Sequence, residues 1–197
     1  NVKSGAERRL FKELNEVKEG EGYTCLHSLN LPEHEYKVMG ELDFVIVSPR
    51  GIYVIEVKGG GISCREGIWY FEDRWGNFHH SSEGPFQQAR SGMYSLRNQL
   101  LKRITEYKLN KLVMGYGVAF PDCIFNVEGL VWDKELILDA TSNSRNSIEK
   151  YINNLEKYWH RKFADRQENG SENTVKDIVR IMRPSFDLVK SLQVQAE

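Results

Sequence analysis

The sequence predicts an α/β domain, and three observations carry that prediction. Two apolar segments, 41–48 and 51–58, flank Ser48-Pro49-Arg50-Gly51, whose residues suit a tight turn. A further apolar segment, 112–120, carries two glycines and stops at Pro121, as a buried strand would. Amphipathic helical stripes lie before, between and after these segments.

In chain order, Ser4-Gly5-Ala6-Glu7 reads as a capping box opening a helix. Ala6, Leu10, Leu14 and Val17 then share one face with Phe11 beside them, and Gly20-Glu21-Gly22 ends the helix. Residues 23–31 read as a strand closed by Pro32, and a polar loop leads to Gly40. Beyond the hairpin of 41–48 and 51–58, Gly59-Gly60-Gly61 stops the strand. Segments 62–64 and 68–72 predict a shorter hairpin, followed by a loop with exposed aromatics over 73–80. Pro85 suits the first turn of a helix whose stripe is Phe86, Ala89, Met93, Leu96, Leu100 and Ile104. Short strands are expected at 130–132 and 136–138. Ile148, Tyr151, Ile152, Leu155, Tyr158, Trp159 and Phe163 mark another helix. A polar loop covers 164–174. Val175, Ile178, Val179 and Met182 form a last helix, broken at Pro184, and 186–192 is a short amphipathic close.

The chain has 197 residues, 40% of them hydrophobic and 28% charged, which suits one domain with a sizeable core. The formal net charge is −1. A binder that relies on a global positive field shows a basic balance, so any phosphate binding here must be local or assisted by a metal. No apolar run approaches the roughly 18 residues of a membrane span. Cys25, Cys64 and Cys123 are far apart with no Cys-x-x-Cys pair, which argues against a zinc knuckle and a disulfide framework. Buried thiols in a reducing cytoplasm are expected. The chain begins at Asn1 and closes on a helical pattern, so it is expected to be an excised piece of something longer.

The chemistry is concentrated on the central hairpin. Side chains alternate faces along a strand, so Ile52, Val54, Glu56 and Lys58 share one face, and Glu41, Asp43, Val45 and Val47 share another. If residues 48–51 are a four-residue loop, Val47 faces Ile52, Val45 faces Val54, Asp43 faces Glu56 and Glu41 faces Lys58. Directly opposed residues lie about 4.5–5.5 Å apart at Cβ. Two carboxylates that close repel unless a cation sits between them, and Mg²⁺ takes such oxygen ligands. Slipping the register by one residue would turn Asp43 away. A plainer reading is a salt-bridged strand end in which Lys58 pairs with Glu41.

Several residues together resemble a known family. They are Gly5-Ala6-Glu7, Glu41-Leu42-Asp43-Phe44-Val45, Pro49-x-Gly51-Ile52-Tyr53-Val54-Ile55-Glu56-Val57-Lys58-Gly59, Pro85-x-x-Gln88 and Phe120-Pro121-Asp122. They are similar to the nuclease-related domain, NERD, which itself resembles the PD-(D/E)xK restriction-endonuclease-like superfamily. The resemblance implies a restriction-endonuclease-like fold, a central mixed sheet with helices on both sides, with extra helices at the C-terminal end. It divides the chain into a core, 1–125, and an extension, 126–197, that packs on the same domain and leads towards a helicase. It implies metal binding by Asp43 and Glu56, with Mg²⁺ or Mn²⁺ as cofactor. Lys58 would orient or activate water, Glu7 would assist the metal site, and Gln88 would hold the substrate backbone or a water. The implied function is a metal-dependent nuclease acting on nucleic acid, DNA being the expected substrate, in a larger cytoplasmic DNA-processing protein. Homodimers are frequent in that superfamily. The alternative is an inactive nucleic-acid-binding or protein-docking module of a UvrD-like helicase. The superfamily often places proline before its aspartate, where this chain has Leu42.

Individual residues keep a second reading. Glu7 stands three residues after Ser4 and also reads as a cap alone, although Glu7, Leu10, Phe11 and Leu14 lie at i, i+3, i+4 and i+7. Gln88, like Gln87, fits a surface position. His79-His80 lacks ligand spacing and reads as surface histidine. Trp69, Tyr70, Phe71, Trp75 and Phe78 fit either base stacking or hairpin packing. Arg90, Arg97, Lys102, Arg103, Lys108 and Lys111 fit phosphate contact or a solvated face.

Overall fold

A computed structural model describes residues 4–16, 23–31, 40–73, 75–129, 132–141, 145–163 and 170–184. The expected segment 186–192, most of the loop at 164–174, and Val17, Leu130 and Val131 lie outside them. The elements in order are α1 (Gly5–Glu16), β1 (Thr24–Leu31), β2 (Gly40–Ser48), β3 (Gly51–Val57), β4 (Gly61–Arg65), β5 (Ile68–Glu72), β6 (Phe78–Ser81), α2 (Pro85–Leu101), α3 (Glu106–Asn110), β7 (Val113–Phe120), β8 (Ile137–Asp139), α4 (Arg145–Lys162) and α5 (Glu172–Met182).

The main sheet has the order β1-β2-β3-β7-β8. β1, β2 and β3 are antiparallel neighbours, while β3-β7 and β7-β8 are parallel, so the sheet is mixed. Strands β4-β5-β6 form a separate antiparallel sheet, its first turn made by Glu66 and Gly67 at φ 51° and 80°. Alternation along β2 and β3 divides the core in two. Phe44, Ile46, Tyr53 and Ile55 pack with α1 and α4. Val45, Val47, Ile52 and Val54 pack with α2 and α5. Helices therefore cover both faces, as the alternating apolar pattern demands. No helix among the described residues is long and apolar enough to cross a membrane.

Two glycines on β7 decide where α4 sits. A Cβ on Gly115 would overlap the Trp159 ring, and one on Gly117 would overlap the Tyr151 hydroxyl. Missing side chains on one face of the strand make the groove into which α4 seats its two aromatics. Trp159 donates its indole N–H to the Tyr116 carbonyl at 2.9 Å, and Tyr151 donates to the Leu136 carbonyl at 3.2 Å.

At the β2–β3 turn the buried Glu156 of α4 accepts from Ser48 Oγ at 2.7 Å and pairs with Arg50 Nε at 3.3 Å. Glu156→Ala should cost about 2 kcal/mol in a urea melt, because a buried hydroxyl and a half-exposed guanidinium lose their acceptor. A variant as stable as the parent would mean that water replaces the carboxylate.

Several expectations are corrected here. The turn is shorter than expected: Ser48 pairs with Gly51, leaving Pro49 and Arg50 as its two loop residues. Residues 78–81 are a strand paired with β5 rather than loop. α3 is an additional short helix, capped by Thr105. Trp132 is not in a strand, and α5 begins at Glu172, inside the expected loop. Of the thiols, Cys64 is exposed and Cys25 and Cys123 are half-buried, because β4 stands clear of the main core. Trp69 is buried in a ring cluster with Phe86, Phe120, Phe125 and Trp132, and Phe71 is buried with its ring stacked on His79, which leaves Tyr70, Trp75 and Phe78 as the exposed aromatics of that region. His79 and His80 lie on the surface.

Candidate functional site

The site forms where β2 leaves β3. Their ladder runs from Ser48↔Gly51 to Phe44↔Ile55 and stops, while β2 stays paired with β1 as far as Gly40. The pairs Val47↔Ile52 and Val45↔Val54 match the register expected from the turn. The expected facing pairs of Asp43 with Glu56 and Glu41 with Lys58 are not part of the ladder, because the strands have already diverged. Asp43 bridges the gap instead: its Oδ2 accepts from the Val57 backbone N–H at 2.8 Å. β3 remains fixed on its other side, where Lys58 N donates to the Ala119 carbonyl at 2.9 Å.

Glu56 and Lys58, two residues apart on β3, turn to the same side. Lys58 Nζ donates to Glu56 Oε1 at 2.7 Å, and the two side chains keep 23% and 14% exposure for lysine and glutamate respectively. Lys58 therefore pairs with Glu56 of its own strand. Its ammonium also lies 5.7 Å from the Phe71 ring centre, and that ring stacks on His79.

Glu7 takes part in the helix cap and also turns its carboxylate inward. Its N–H donates to Ser4 Oγ at 3.1 Å, which is half of a capping box. Its buried carboxylate turns inward, where Oε2 lies 3.2 Å from His27 Nε2. His27 is held between the rings of Phe11 and Phe44.

Burial pushes the Asp43 carboxyl up to about 7, and the negative charge of Glu56 adds to that. The Val57 N–H and the Lys58 ammonium pull it down, and Glu7 contributes a smaller upward push. Glu7, Asp43, Glu56 and Lys58 thus form one electrostatic group. Gln88 Nε2 donates to the Glu83 carbonyl at 3.3 Å, tying it to the segment that leads into α2.

The residues after Lys58 are clamped as well. A Cβ on Gly59 would lie 2.7 Å from Ala6 Cβ, so only glycine lets α1 approach this closely. Asp122 accepts from Gly60 N–H at 2.8 Å and pairs with Arg9 of α1. α1, the end of β3 and the end of β7 therefore meet at one corner of the sheet.

A family model for NERD, the nuclease-related domain, matches residues 3–131. The chain belongs to the NERD family. The matched segment contains every member of the acidic group. The architecture, a mixed sheet with helices on both faces, is consistent with a nuclease-like fold. Comparison with curated proteins and with solved structures gave no match.

Reasoning from sequence passed over His27, the partner of Glu7 in this NERD domain. A signal for it existed. In β1 the apolar residues Leu26, Leu29 and Leu31 break their alternation at His27-Ser28, which marks an irregular strand where one side chain is redirected.

Proposed function

We propose that this NERD domain is a divalent-metal-dependent nuclease that hydrolyses phosphodiester bonds in DNA, as one part of a larger DNA-processing or helicase protein. The observation that carries the reading is the largely buried Asp43 carboxylate, fixed to the Val57 N–H beside the Glu56–Lys58 pair, where burial and Glu56 both raise it. Two adjoining, largely buried carboxylates are costly by themselves, and a cation relieves both the repulsion and the lost hydration. Asp43 and Glu56 supply hard oxygen donors. Among the described residues no group of three or more His, Cys, Asp or Glu side chains is placed to hold a metal ion, so a cation here would rest on two carboxylates together with water and substrate. Such a two-carboxylate group suits Mg²⁺ or Mn²⁺, which bind through one or two carboxylates, waters and substrate phosphates.

When bound, the cation would supply neutralisation of phosphate charge and a more acidic water. Lys58 would transfer its ammonium from Glu56 to a phosphate oxygen or to the attacking water, offsetting the charge that develops on the phosphate. Glu7, held by His27, would orient a water at the edge of the group. The buried Val57 N–H would keep one Asp43 oxygen fixed and leave the other for the cation.

The test is cleavage of linear, circular and single-stranded DNA with and without Mn²⁺. We expect cation-dependent cleavage by the wild type and a loss of about a hundredfold or more in Lys58→Ala. Undiminished cleavage by that variant would refute the mechanism.

The reading of the domain as a docking module for a helicase is favoured by one observation. The charged groups satisfy one another: Asp43 bonds Val57, Lys58 bonds Glu56 and Glu7 bonds His27. Calorimetric titration with Mn²⁺ separates the two readings. Absence of binding, or binding that Asp43→Ala leaves unchanged, supports the docking module.

A further inference from the structure

We propose that Arg183, which follows α5 and lies outside the matched residues 3–131, is a positioning residue for the acidic site. The inference rests on reading Glu7, Asp43, Glu56 and Lys58 as that site.

The argument starts at Ser28. Its φ is 52°, in the left-handed region that glycine favours and serine seldom occupies within a strand. Such a conformation persists where its surroundings over-determine it. The β1–β2 pairing runs continuously from Thr24↔Val47 to Leu31↔Gly40 except at one step, where Ser28 would meet Asp43. The irregularity therefore lies opposite the carboxylate that bridges to β3. It also shifts both strands by one face. Leu26 and Leu29 both enter the core cluster shared with α2 and α5, and so do Val45 and Leu42. Relaxing Ser28 to an extended conformation would undo that shift and alter the direction from which Asp43 reaches Val57.

Arg183 fastens this kink from outside. Its Nη2 donates to the His27 carbonyl at 2.6 Å and lies 3.4 Å from the Ser28 carbonyl. The Arg183 N–H donates to the Val179 carbonyl at 2.8 Å, so the guanidinium is delivered by the end of α5. That helix is seated by the buried Val175 and Ile178 in the second cluster. On the inner side, Ser28 Oγ lies 3.3 Å from His27 Nε2, which in turn holds Glu7. One guanidinium thus stabilises a bend with two outputs, Asp43 through the strand pairing and Glu7 through His27. The terminal helix of the described chain is part of the architecture of the site rather than an accessory to it.

Amide hydrogen exchange measured by NMR on the full chain tests this without cation or substrate. The Val57 N–H reports whether Asp43 is in place, and Val118, in the β3–β7 ladder beside Glu56, reports global stability. In Arg183→Ala, Val57 exchange should quicken by about tenfold while Val118 changes by less than about twofold. Arg183→Gln keeps an amide donor and should restore most of the Val57 protection; Arg183→Met, which keeps the aliphatic stem and no donor, takes the place of the alanine variant if that fails to fold. Equal acceleration of both amides, or an unchanged Val57, would overturn the proposal. A wild type that cleaves no DNA would remove the nuclease reading and leave this result standing. Where the wild type does cleave, Arg183→Ala should lower kcat with little change in KM.

Discussion

Asp43→Asn should make the cation-free protein more stable at pH 8 while removing its divalent-dependent cleavage. The two effects share one origin. Folding lifts the Asp43 carboxyl from an ordinary 3.8 to about 7. Between those values the native state holds a proton that the unfolded chain has released. The stability contributed by this group is therefore complete below about pH 4 and is lost as pH rises through about 7. Asparagine is neutral throughout and still offers an oxygen to the Val57 N–H. Each pKa unit corresponds to about 1.4 kcal/mol, and burying the asparagine amide N–H group without a partner takes part of the gain back, so we expect a net gain on the order of 2 kcal/mol at pH 8. Denaturant melts of both proteins from pH 4 to 8 in a chelator would show the curves separating as pH rises. Saturating Mn²⁺ should reverse the order, because only the wild type gains from cation binding. A variant that is destabilised at pH 8 without cation, or that still cleaves, would contradict the picture of a strained acidic group.

Gly117→Ala should lower stability by about 3 kcal/mol. The new methyl group meets the Tyr151 hydroxyl, the Leu136 carbonyl and Ile55 Cδ1. Tyr151 is buried and donates to that same carbonyl, so moving it both strains the α4–β7 contact and breaks a buried hydrogen bond. For a chain of this size that corresponds to a fall in Tm of about 6–12 °C. The double variant Gly117→Ala/Tyr151→Phe removes the clashing oxygen and should recover about half of the loss. Calorimetry on the single and double variants checks both figures, and an alanine variant that melts with the parent would mean that α4 can shift without cost.

The hairpin was legible because turn and alternation constrain each other: once Val47 faces Ile52, the pairs as far as Phe44 and Ile55 are set. The divergence beyond Phe44 and Ile55 was not, since it depends on Ser28 in a third strand and on Arg183 far along the chain. β6 escaped because Phe78-His79-His80 has no alternation in polarity to reveal a strand. α3 is too short for periodicity to mark. The glycines of β7 were visible as letters, but their purpose appears only with the Trp159 and Tyr151 side chains that fill the groove. Asp43, Glu56 and Lys58 were readable as a charged set on apolar strands, whereas Glu7 needed its contact with His27 to show which way it turns.

The Ser48–Glu156–Arg50 contact has a mechanical consequence. It bolts the tip of the central hairpin to α4, while the opposite end carries no ladder beyond Phe44 and Ile55. A ribbon fastened at one extremity by α4 is held at the other by side chains rather than by its own ladder. Substrate or cation arriving at the acidic end would thus meet a fork whose closure rests on Asp43 and Val57, with a fixed pivot about a strand's length away.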